Sequence, residues 1–380
     1  MRILQVSPLF YPHVGGIENH VEKLSNRLVE EGHEVTVYTS NIPTSRCHEV
    51  IGGLEIFRFK SIFEPLNNPV VPGILLKMIM ESNFDVVHVH SHHHLSSNMA
   101  VLSKKLNGLP IILTSHGNSN HLVGWKRIID VAYNKTIAGW MLRSADKVIA
   151  LTPQHADDLK KLGARQDDVS IIPHGVNLPQ INLGTGADKF KEKYGLEDKK
   201  VILFVGGLIP RKGLNYLVES MKYINKDTTL LIVGGEIQGH PGVKRSLEKR
   251  TKDLGIDGRV FFLGRLGKVD LKLAYISSDL FVFPSIADVF GLVILEAMSY
   301  GKCVVASRVP GPSSIIKDLE NGVLFEPKNP IDLSKKVNYL LENYDLRMRL
   351  GNAARKEVER TYNWDTTFKR ILDLYLQSKS

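Results

Sequence analysis

Short apolar runs alternate with helical patterns along the whole chain, and this alternation restricts the fold more than any other feature. The runs Arg2–Val6 and Lys200–Val205 have the length and composition of buried strands. A glycine turn and a helical pattern from about Ile17 to Glu31 follow the first run. Parallel strands need such crossover helices between them. The pattern therefore predicts an α/β protein with doubly wound parallel sheets.

The length of the chain indicates more than one hydrophobic core. At 380 residues, it exceeds the size at which a single core stops growing. The strands restart at Lys200, after a polar, glycine-containing stretch from about 182 to 199. We predict one domain at 1–180 and a second at 198–361, followed by an amphipathic helix in the tail at 362–380.

Composition narrows the class of protein. The hydrophobic content of 43% and the charged content of 23% are those of a soluble globular chain. No apolar run approaches the roughly 18 residues that span a bilayer, and the N-terminus lacks the apolar segment of a signal peptide. Cys47 and Cys303 offer no disulfide framework, so we expect a cytoplasmic protein.

The chain is basic, with 49 Lys and Arg against 40 Asp and Glu and a net charge of +9. This excess suits an anionic ligand or an anionic membrane surface, and it is equally typical of a solvated, lysine-rich surface. The sequence contains no groove-reading motif and no aromatic RNA platform, so we expect no nucleic-acid partner.

Two acids lie in a strand–loop–helix segment near residue 290. The apolar run Leu280–Phe283 predicts a strand, Asp288 lies in the loop after it, and Glu296 lies in a helix predicted from about Phe290. The first N–H groups and the dipole of such a helix suit phosphate. Asp288 would then serve sugar hydroxyls and Glu296 a ribose, which together describe a nucleotide sugar. The alternative for Asp288 is a plain helix N-cap.

Two cations follow the first strand of the second domain. Arg211 and Lys212 come after the glycine turn Gly206-Gly207. A guanidinium fork and a compact ammonium together suit a diphosphate. The alternative is an exposed Arg-Lys pair at an ordinary turn.

Histidines cluster at the predicted strand ends of the first domain. His88 and His90 alternate on one strand and point to one face, as zinc ligands can. No Cys, Asp or Glu accompanies them at ligand spacing, so we expect no metal. His116 ends another strand in Thr114–Gly117, where a lone histidine is more often structural.

These segments together resemble the retaining glycosyltransferases of family 4, which have the GT-B fold. The family carries two acids separated by seven residues, usually both Glu, and Asp288 with Glu296 match this spacing along with Phe290-Gly291-Leu292. The resemblance implies two Rossmann-like domains that face a central cleft, with the final helix packed on the first domain.

The resemblance also implies roles for individual residues. The run from Gly15 to Leu24 is similar to the N-terminus of phosphatidylinositol mannosyltransferases, which places Gly16 beside the donor and Asn19 and His20 at the acceptor. His116 and Asp288 would act on the transferred sugar as the catalytic residues. The implied donor-binding residues are Gly16, Gly207, Arg211, Lys212, Arg265, Asp288, Phe290, Gly291, Leu292 and Glu296.

Gly207 departs from the family pattern, because many relatives carry a phosphate-binding Arg at this position. We hypothesise that Arg211 supplies the missing charge beside Lys212, the phosphate-binding lysine of the family. Arg265 follows the predicted strand Val260–Leu263, in the loop that contacts the nucleotide base in relatives. His174 lies in a turn similar to the family's Pro-Asn-Gly-Val-Asp, which we interpret as hinge structure.

The reaction that the resemblance implies is transfer of a hexosyl group from a nucleotide diphosphate sugar to a glycan, lipid-linked or small-molecule acceptor, with retention. In such enzymes the leaving phosphate helps to deprotonate the incoming hydroxyl, and the protein positions the substrates and neutralises charge. No cofactor and no obligatory metal are expected.

Other functions remain open from the sequence. A GT-B nucleotide-sugar epimerase or a phosphorylase would share the same cleft. A catalytically silent, membrane-associated assembly subunit is also compatible with Asp288 and Gly207.

A further hypothesis concerns the membrane. Basic and aromatic residues at helical spacing could rest on an anionic bilayer at the inner face of the membrane. The alternative is a buried helix with snorkelling cations. The residues of this face are Trp125, Lys126, Arg127, Tyr133, Lys135, Trp140 and Arg143.

Overall fold

The chain forms two units, each built on its own sheet. The computed structural model describes residues 1–13, 15–64, 68–117, 128, 131–179, 186–237 and 239–379. The first unit consists of Met1–Gly175 and Asp365–Ser380, and the second consists of Val176–Trp364. The first unit is therefore discontinuous in sequence, whereas the second is continuous.

The first unit contains an eight-stranded sheet in the order β3-β4-β2-β1-β5-β6-β7-β8. All neighbouring strands are parallel except β3 and β4, which are antiparallel. The sequence pattern did not predict β3, because this short edge strand is largely exposed. The strands are β1 Arg2–Val6, β2 Glu34–Ser40, β3 His48–Ile51, β4 Leu54–Phe59, β5 Val86–His90, β6 Ile111–Thr114, β7 Lys147–Ala150 and β8 Val169–Ile171.

Helices cover the central strands of this sheet, as parallel crossovers require. Val87 and Val89 on β5 belong to the apolar core with residues of the neighbouring strands and helices, so His88 and His90 project from the opposite face. The helices of this part are α1 Gly16–Glu30, α2 Pro72–Met80, α3 Leu95–Asn107, α4 Gly139–Ser144 and α5 Pro153–Leu162, with a π-helical segment at Asn134–Ala138.

The second unit contains a six-stranded parallel sheet in the order β11-β10-β9-β12-β13-β14. These strands are nearly continuous apolar runs, because both of their faces are covered. The sequence pattern missed β14, which has only three residues. The strands are β9 Lys200–Val205, β10 Thr228–Val233, β11 Val260–Gly264, β12 Leu280–Phe283, β13 Cys303–Ser307 and β14 Val323–Phe325.

Eight α-helices described in the second unit flank this sheet. They are α6 Gly186–Tyr194, α7 Leu214–Ser220, α8 Val243–Asp253, α9 Lys268–Ser277, α10 Leu292–Ser299, α11 Pro310–Ile315, α12 Pro330–Glu342 and α13 Tyr344–Thr361. The predicted α/β class with two doubly wound parallel sheets is confirmed.

The last helix, α14 (Trp364–Lys379), packs within the first unit. Phe368, Ile371 and Tyr375 lie on its buried face. The hydroxyl of Tyr375 accepts a hydrogen bond from Gln5 Nε2 on β1 at 3.0 Å. No helix among the described residues is long and apolar enough to cross a membrane.

Candidate active site

Two loops of the second unit are joined by their backbones at the ends of β9 and β12. The amide of Ile286 and the hydroxyl of Ser285 both donate to the carbonyl of Arg211, at 2.9 and 3.1 Å. Gly213 has a φ of 67°, and a Cβ there would lie 2.0 Å from the carbonyl oxygen of Pro284. A residue with a side chain would force the loops apart, so glycine is required at this position.

These joined loops bring Lys212, Arg211 and Asp288 together. One carboxylate oxygen of Asp288, Oδ2, lies 2.6 Å from Lys212 Nζ and 3.1 Å from Arg211 Nη1. The hydroxyl of Ser285 lies 3.2 Å from the same oxygen. Arg211 is fixed further because its Nη1 donates to the carbonyl of Ala287 at 2.9 Å. We call Lys212, Arg211, Asp288 and Ser285 the ion cluster.

Burial and charge act against each other in the ion cluster. Burial alone would raise the pKa of Asp288, but the charges of Lys212 and Arg211 outweigh it, so the pKa is lower than its ordinary value. Burial lowers the pKa of Lys212, even though the charge of Asp288 opposes this shift. The cluster therefore has two cations and one anion, which gives a net charge of +1. Its charged groups have little contact with water.

Two alternatives from the sequence are settled by this geometry. Asp288 does not cap α10, because Gly291 precedes the helix and no side chain caps it. Arg211 and Lys212 are not an exposed pair at a turn, because both contact Asp288.

A side chain at Gly207 would displace the end of the exposed side chain of Ile237. A Cβ at this position would lie 2.2 Å from Cδ1 of Ile237. Arg211 lies beside Lys212 instead, in keeping with our hypothesis that it supplies the second cation.

Glu296 lies about one turn inside α10, because the helix begins at Leu292 and not at Phe290 as the sequence suggested. The left-handed backbone of Gly291, with a φ of 113°, delays the start of the helix. The hydroxyl of Tyr275 donates to Glu296 Oε2 at 3.0 Å, and the ring of Tyr275 stacks on Tyr300. Burial, followed by the charge of Glu296, raises the pKa of Tyr275 well above its ordinary value.

The remaining donor residues predicted in this unit follow strands β11 and β12. Phe290 is buried with its ring 6.3 Å from that of Tyr362, and Leu292 is the first residue of α10. Arg265 follows β11 and is exposed, with its Nε 3.1 Å from the position that a Cβ of Gly235 would take. The glycine at 235 thus lets the arginine lie close to the backbone after β10.

Four imidazole rings contact one another in the first unit. We call His20, His174, His116 and His90 the imidazole chain. Nδ1 of His20 lies 3.1 Å from Nδ1 of His174, Nε2 of His174 lies 3.3 Å from Nδ1 of His116, and Nε2 of His116 lies 3.2 Å from Nδ1 of His90. His116 is partly exposed, and the other three rings are buried.

The amide of Gln5 sets the direction of the hydrogen bonds along this chain. Its Nε2 donates to the hydroxyl of Tyr375, so its Oε1 must accept from Nε2 of His90 at 2.8 Å. His90 then accepts at Nδ1, and each further ring of the chain donates toward it in turn. Every ring carries one proton and is neutral in this arrangement.

His88 continues the network on the other side of Tyr375. The Tyr375 hydroxyl donates to Nδ1 of His88 at 2.6 Å, and Nε2 of His88 donates to Oγ1 of Thr114 at 2.7 Å. Burial lowers the pKa of His88 to about 3 and, with a smaller contribution from the charge of His155, lowers the pKa of His174 to about 4. Burial also lowers the pKa of the other three rings, whose neighbouring imidazoles act in the same direction.

The alternating histidines on β5 therefore belong to a hydrogen-bonded chain. Ring nitrogens meet in pairs. The four rings form a compact group, because the ring centroids of His20 and His90 at its two ends are only 5.9 Å apart. Among the side chains that the structure describes, no three His, Cys, Asp or Glu are grouped as metal ligands would be. Sequence reasoning considered His90 only as a metal ligand and His174 only as hinge structure, and it did not predict their contacts with His116 and His20.

The other residues predicted in the first unit occupy the start of α1. Gly16 is the first residue of the helix and Asn19 is exposed in its first turn, whereas His20 is buried within the imidazole chain. Little of the His20 side chain is therefore accessible to an acceptor. The position of Gly16 beside a donor stays a prediction.

Part of the predicted membrane face, Trp125–Arg127, lies outside the described residues. Lys135 and Arg143 are exposed, and Trp140 is half-buried. The hydroxyl of Tyr133 donates to the carbonyl of His92 at 3.1 Å and so serves the interior of the unit.

Comparisons with solved structures identify the fold. HepE from Anabaena, in complex with UDP and glucose, has a TM-score of 0.83 at 19% identity, with 99% of this chain and 100% of that chain covered. Sucrose-phosphate synthase from Thermosynechococcus elongatus has a TM-score of 0.83 at 22% identity, covering 99% and 98% of the two chains. The two Rossmann-like units are thus those of the GT-B glycosyltransferases.

Sequence comparisons identify the family. The model of the group 1 glycosyl transferases matches residues 186–357, and the model of Glycosyltransferase Family 4 matches residues 14–180. An uncharacterized glycosyltransferase of Methanocaldococcus jannaschii is 28% identical over 392 residues, covering 99% of this chain and 98% of its own. A D-inositol 3-phosphate glycosyltransferase of Xylanimonas cellulosilytica is 28% identical over 404 residues, covering 100% and 96%. The chain belongs to the group 1 glycosyltransferases with the GT-B fold and is family 4-like.

Proposed function

We propose that this glycosyltransferase is a retaining hexosyltransferase whose donor is a nucleotide diphosphate sugar. The ion cluster is the observation that carries the proposal, because it holds two cations on joined loops at the ends of β9 and β12. In doubly wound sheets, ligands bind outside the carboxyl ends of the strands where the winding reverses. Strand β9 lies between β10 and β12, so the cluster lies at this point of the sheet.

Two solved structures support a nucleotide donor. The structure of HepE in complex with UDP-glucose and that of the catalytic domain of starch synthase IV from Arabidopsis thaliana with ADP and acarbose share the fold. In our proposal Lys212 and Arg211 bind the diphosphate, and Glu296, oriented by Tyr275, accepts hydrogen bonds from the ribose. Arg265 lies beside the base.

The proposed transfer step depends on the two cations beside the diphosphate and on the residues beside the sugar. The incoming hydroxyl attacks the anomeric carbon, the bond to the phosphate breaks, and the leaving phosphate takes the proton. Lys212 and Arg211 stabilise the charge that develops on the diphosphate, so we expect no cofactor and no metal. Asp288 binds sugar hydroxyls, and His116 contacts the sugar through its backbone, because both of its ring nitrogens are engaged.

The acceptor is a glycan, a lipid-linked glycan or a small molecule, and we propose that Asn19 and His20 lie on its side. Exposed Lys135 and Arg143 suit an anionic lipid surface at the inner face of the membrane. Vesicles with and without anionic headgroups test this extension. If anionic vesicles at low salt fail to bind the protein, the lipid surface is ruled out.

Calorimetric titration with UDP, GDP, ADP and TDP tests the donor site. Wild type should prefer one nucleotide, and Lys212→Ala should weaken its binding by at least about tenfold, because a charge-assisted hydrogen bond to phosphate is lost. Lys249→Ala, an exposed lysine of α8, is the matched control. If none of the four nucleotides binds wild type, the donor site is wrong and the silent-subunit alternative gains support.

Assays with the corresponding nucleotide sugars then separate the enzymatic alternatives. Release of the nucleoside diphosphate that depends on an added acceptor supports transfer. Conversion of the donor into another nucleotide sugar without an acceptor would favour the epimerase. The anomeric configuration of the product, read by NMR, decides whether the configuration is retained.

A further inference from the structure

One carboxylate oxygen in the ion cluster contacts both cations. Oδ2 of Asp288 accepts a hydrogen bond from Lys212 Nζ at 2.6 Å and lies 3.1 Å from Nη1 of Arg211 in an ion pair. A phosphate oxygen bound by Lys212 and Arg211 would occupy a position similar to that of this carboxylate oxygen. The protein therefore places its own anion on the cations that a donor diphosphate would use.

The backbone at Asp288 is packed closely against the segment at Gly311. The carbonyl of Asp288 accepts a hydrogen bond from the amide of Gly311 at 3.0 Å. A Cβ at Gly311 would lie 2.6 Å from that carbonyl oxygen, which shows how closely the two segments pack. Rotation about the side-chain bonds of Asp288 is thus the way to release Lys212 and Arg211.

Burial makes Lys212 in particular depend on a neighbouring anion. The side chains of Lys212 and Asp288 are only 16% and 14% exposed, so water compensates their charges poorly. A buried charge without a partner is strongly unfavourable. When one anion leaves the pair of cations, another must take its place.

We propose that Asp288 is a displaceable counter-ion that helps to expel the nucleoside diphosphate product. This inference rests on the proposed function. When the donor binds, its diphosphate takes the cations and the carboxylate turns to the sugar hydroxyls. After transfer the sugar is gone, the carboxylate lacks those hydroxyls, and it returns to Lys212 and Arg211. The returning carboxylate competes with the diphosphate and weakens its binding.

Removing the charge at 288 should therefore strengthen product binding. UDP, GDP, ADP and TDP, each with its monophosphate, are titrated into wild type, Asp288→Asn and Asp288→Ala. The diphosphate that binds wild type should bind both variants on the order of tenfold more tightly, because one charge-assisted competitor is absent. The monophosphate, which lacks the second phosphate, should change far less.

Turnover should change in the opposite direction. Asp288→Asn should transfer sugar more slowly and be inhibited by product at lower concentration. Asp318→Asn, which removes a carboxylate paired with Arg308 in the same unit, should leave diphosphate binding unchanged. If the loss of the carboxylate destabilises a variant, added diphosphate should raise its melting temperature more than that of wild type.

The outcomes distinguish this inference from the proposed function. If wild type binds a diphosphate and transfers sugar, but both variants at 288 bind the diphosphate equally or more weakly, the counter-ion role is wrong and the enzyme stands. If wild type neither binds any of the four diphosphates nor turns over a donor, the proposed function itself fails. Equal tightening of the monophosphate would also overturn the proposal, because it would place the competition away from the second phosphate.

Discussion

Acidification should destabilise the first unit selectively. Its buried imidazoles are neutral in the folded protein, and burial lowers the pKa of His88 to about 3 and of His174 to about 4, from an ordinary 6.5. Below about pH 6.5 the unfolded chain binds protons that the folded chain refuses, so folding loses stability as the pH falls. Above that pH the rings are neutral in both the folded and the unfolded chain, so these residues do not make the free energy of unfolding depend on pH.

The magnitude follows from the two pKa values. A pH of about 5 is about 1.5 units below the pKa of an imidazole in the unfolded chain. Each unit corresponds to about 1.4 kcal/mol. Each ring that remains neutral therefore lowers the free energy of unfolding by about 2 kcal/mol. His88 and His174 together give about 4 kcal/mol, a large part of the roughly 5–15 kcal/mol of a typical domain. His20, His90 and His116 act in the same direction.

Hydrogen exchange in urea measures the stability of each unit at a given pH, because the peptides obtained from the exchanged protein report on the two units separately. Peptides of Met1–Gly175 should lose protection between about pH 7.5 and pH 5 by more than those of Val176–Trp364. His174→Asn should reduce the acid-induced loss by about 2 kcal/mol, and the exposed His240→Gln serves as control. An unfolding free energy of the first unit that is unchanged at about pH 5 would refute the neutral-ring assignment.

Two substitutions in the second unit test the geometry of the proposed donor site. Tyr275→Phe removes the hydroxyl that donates to Glu296, so nucleotide affinity should fall about fivefold by calorimetry, while the exposed Tyr223→Phe should have no effect. Gly213→Ala should lower the free energy of unfolding by more than about 2 kcal/mol, because the backbone is left-handed and its Cβ would meet a carbonyl oxygen. Gly258→Ala has open space at its Cβ and is the control for urea denaturation; equal losses in both variants would contradict this reasoning.

The sequence predicted the fold well, because apolar runs and glycine turns act locally. Lys200–Val205 was recognisable as a strand because both faces of its sheet are covered, and the five residues after Lys200 are all apolar. Strands β3 and β14 were missed because one is exposed and the other has three residues. The start of α10 was misplaced by two residues, since Gly291 has a left-handed backbone conformation and the helix begins only after it.

The site was predicted as separate residues, and its contacts were not. Lys212 and Asp288 are 76 positions apart, and only the order of strands β9 and β12 brings them together. The same applies to His20 and His174, which are 154 positions apart. The resemblance gave His174 a hinge position, and nothing in the pattern indicated that its ring would join His116 to His20. Long-range pairing of this kind depends on topology, which local periodicity does not encode.

The contact between Tyr375 and β1 has a consequence for how the protein is made. A ribosome releases Gln5 and His88 long before Tyr375, so their buried polar atoms lack this hydroxyl until Tyr375 itself has emerged. The continuous second unit can close earlier, because all of Val176–Trp364 has emerged by then. Domains of a nascent chain generally mature from the N-terminus onward. In this protein the hydrogen bonds of Gln5 and His88 to Tyr375 cannot form until the helix that follows the whole second unit has been translated.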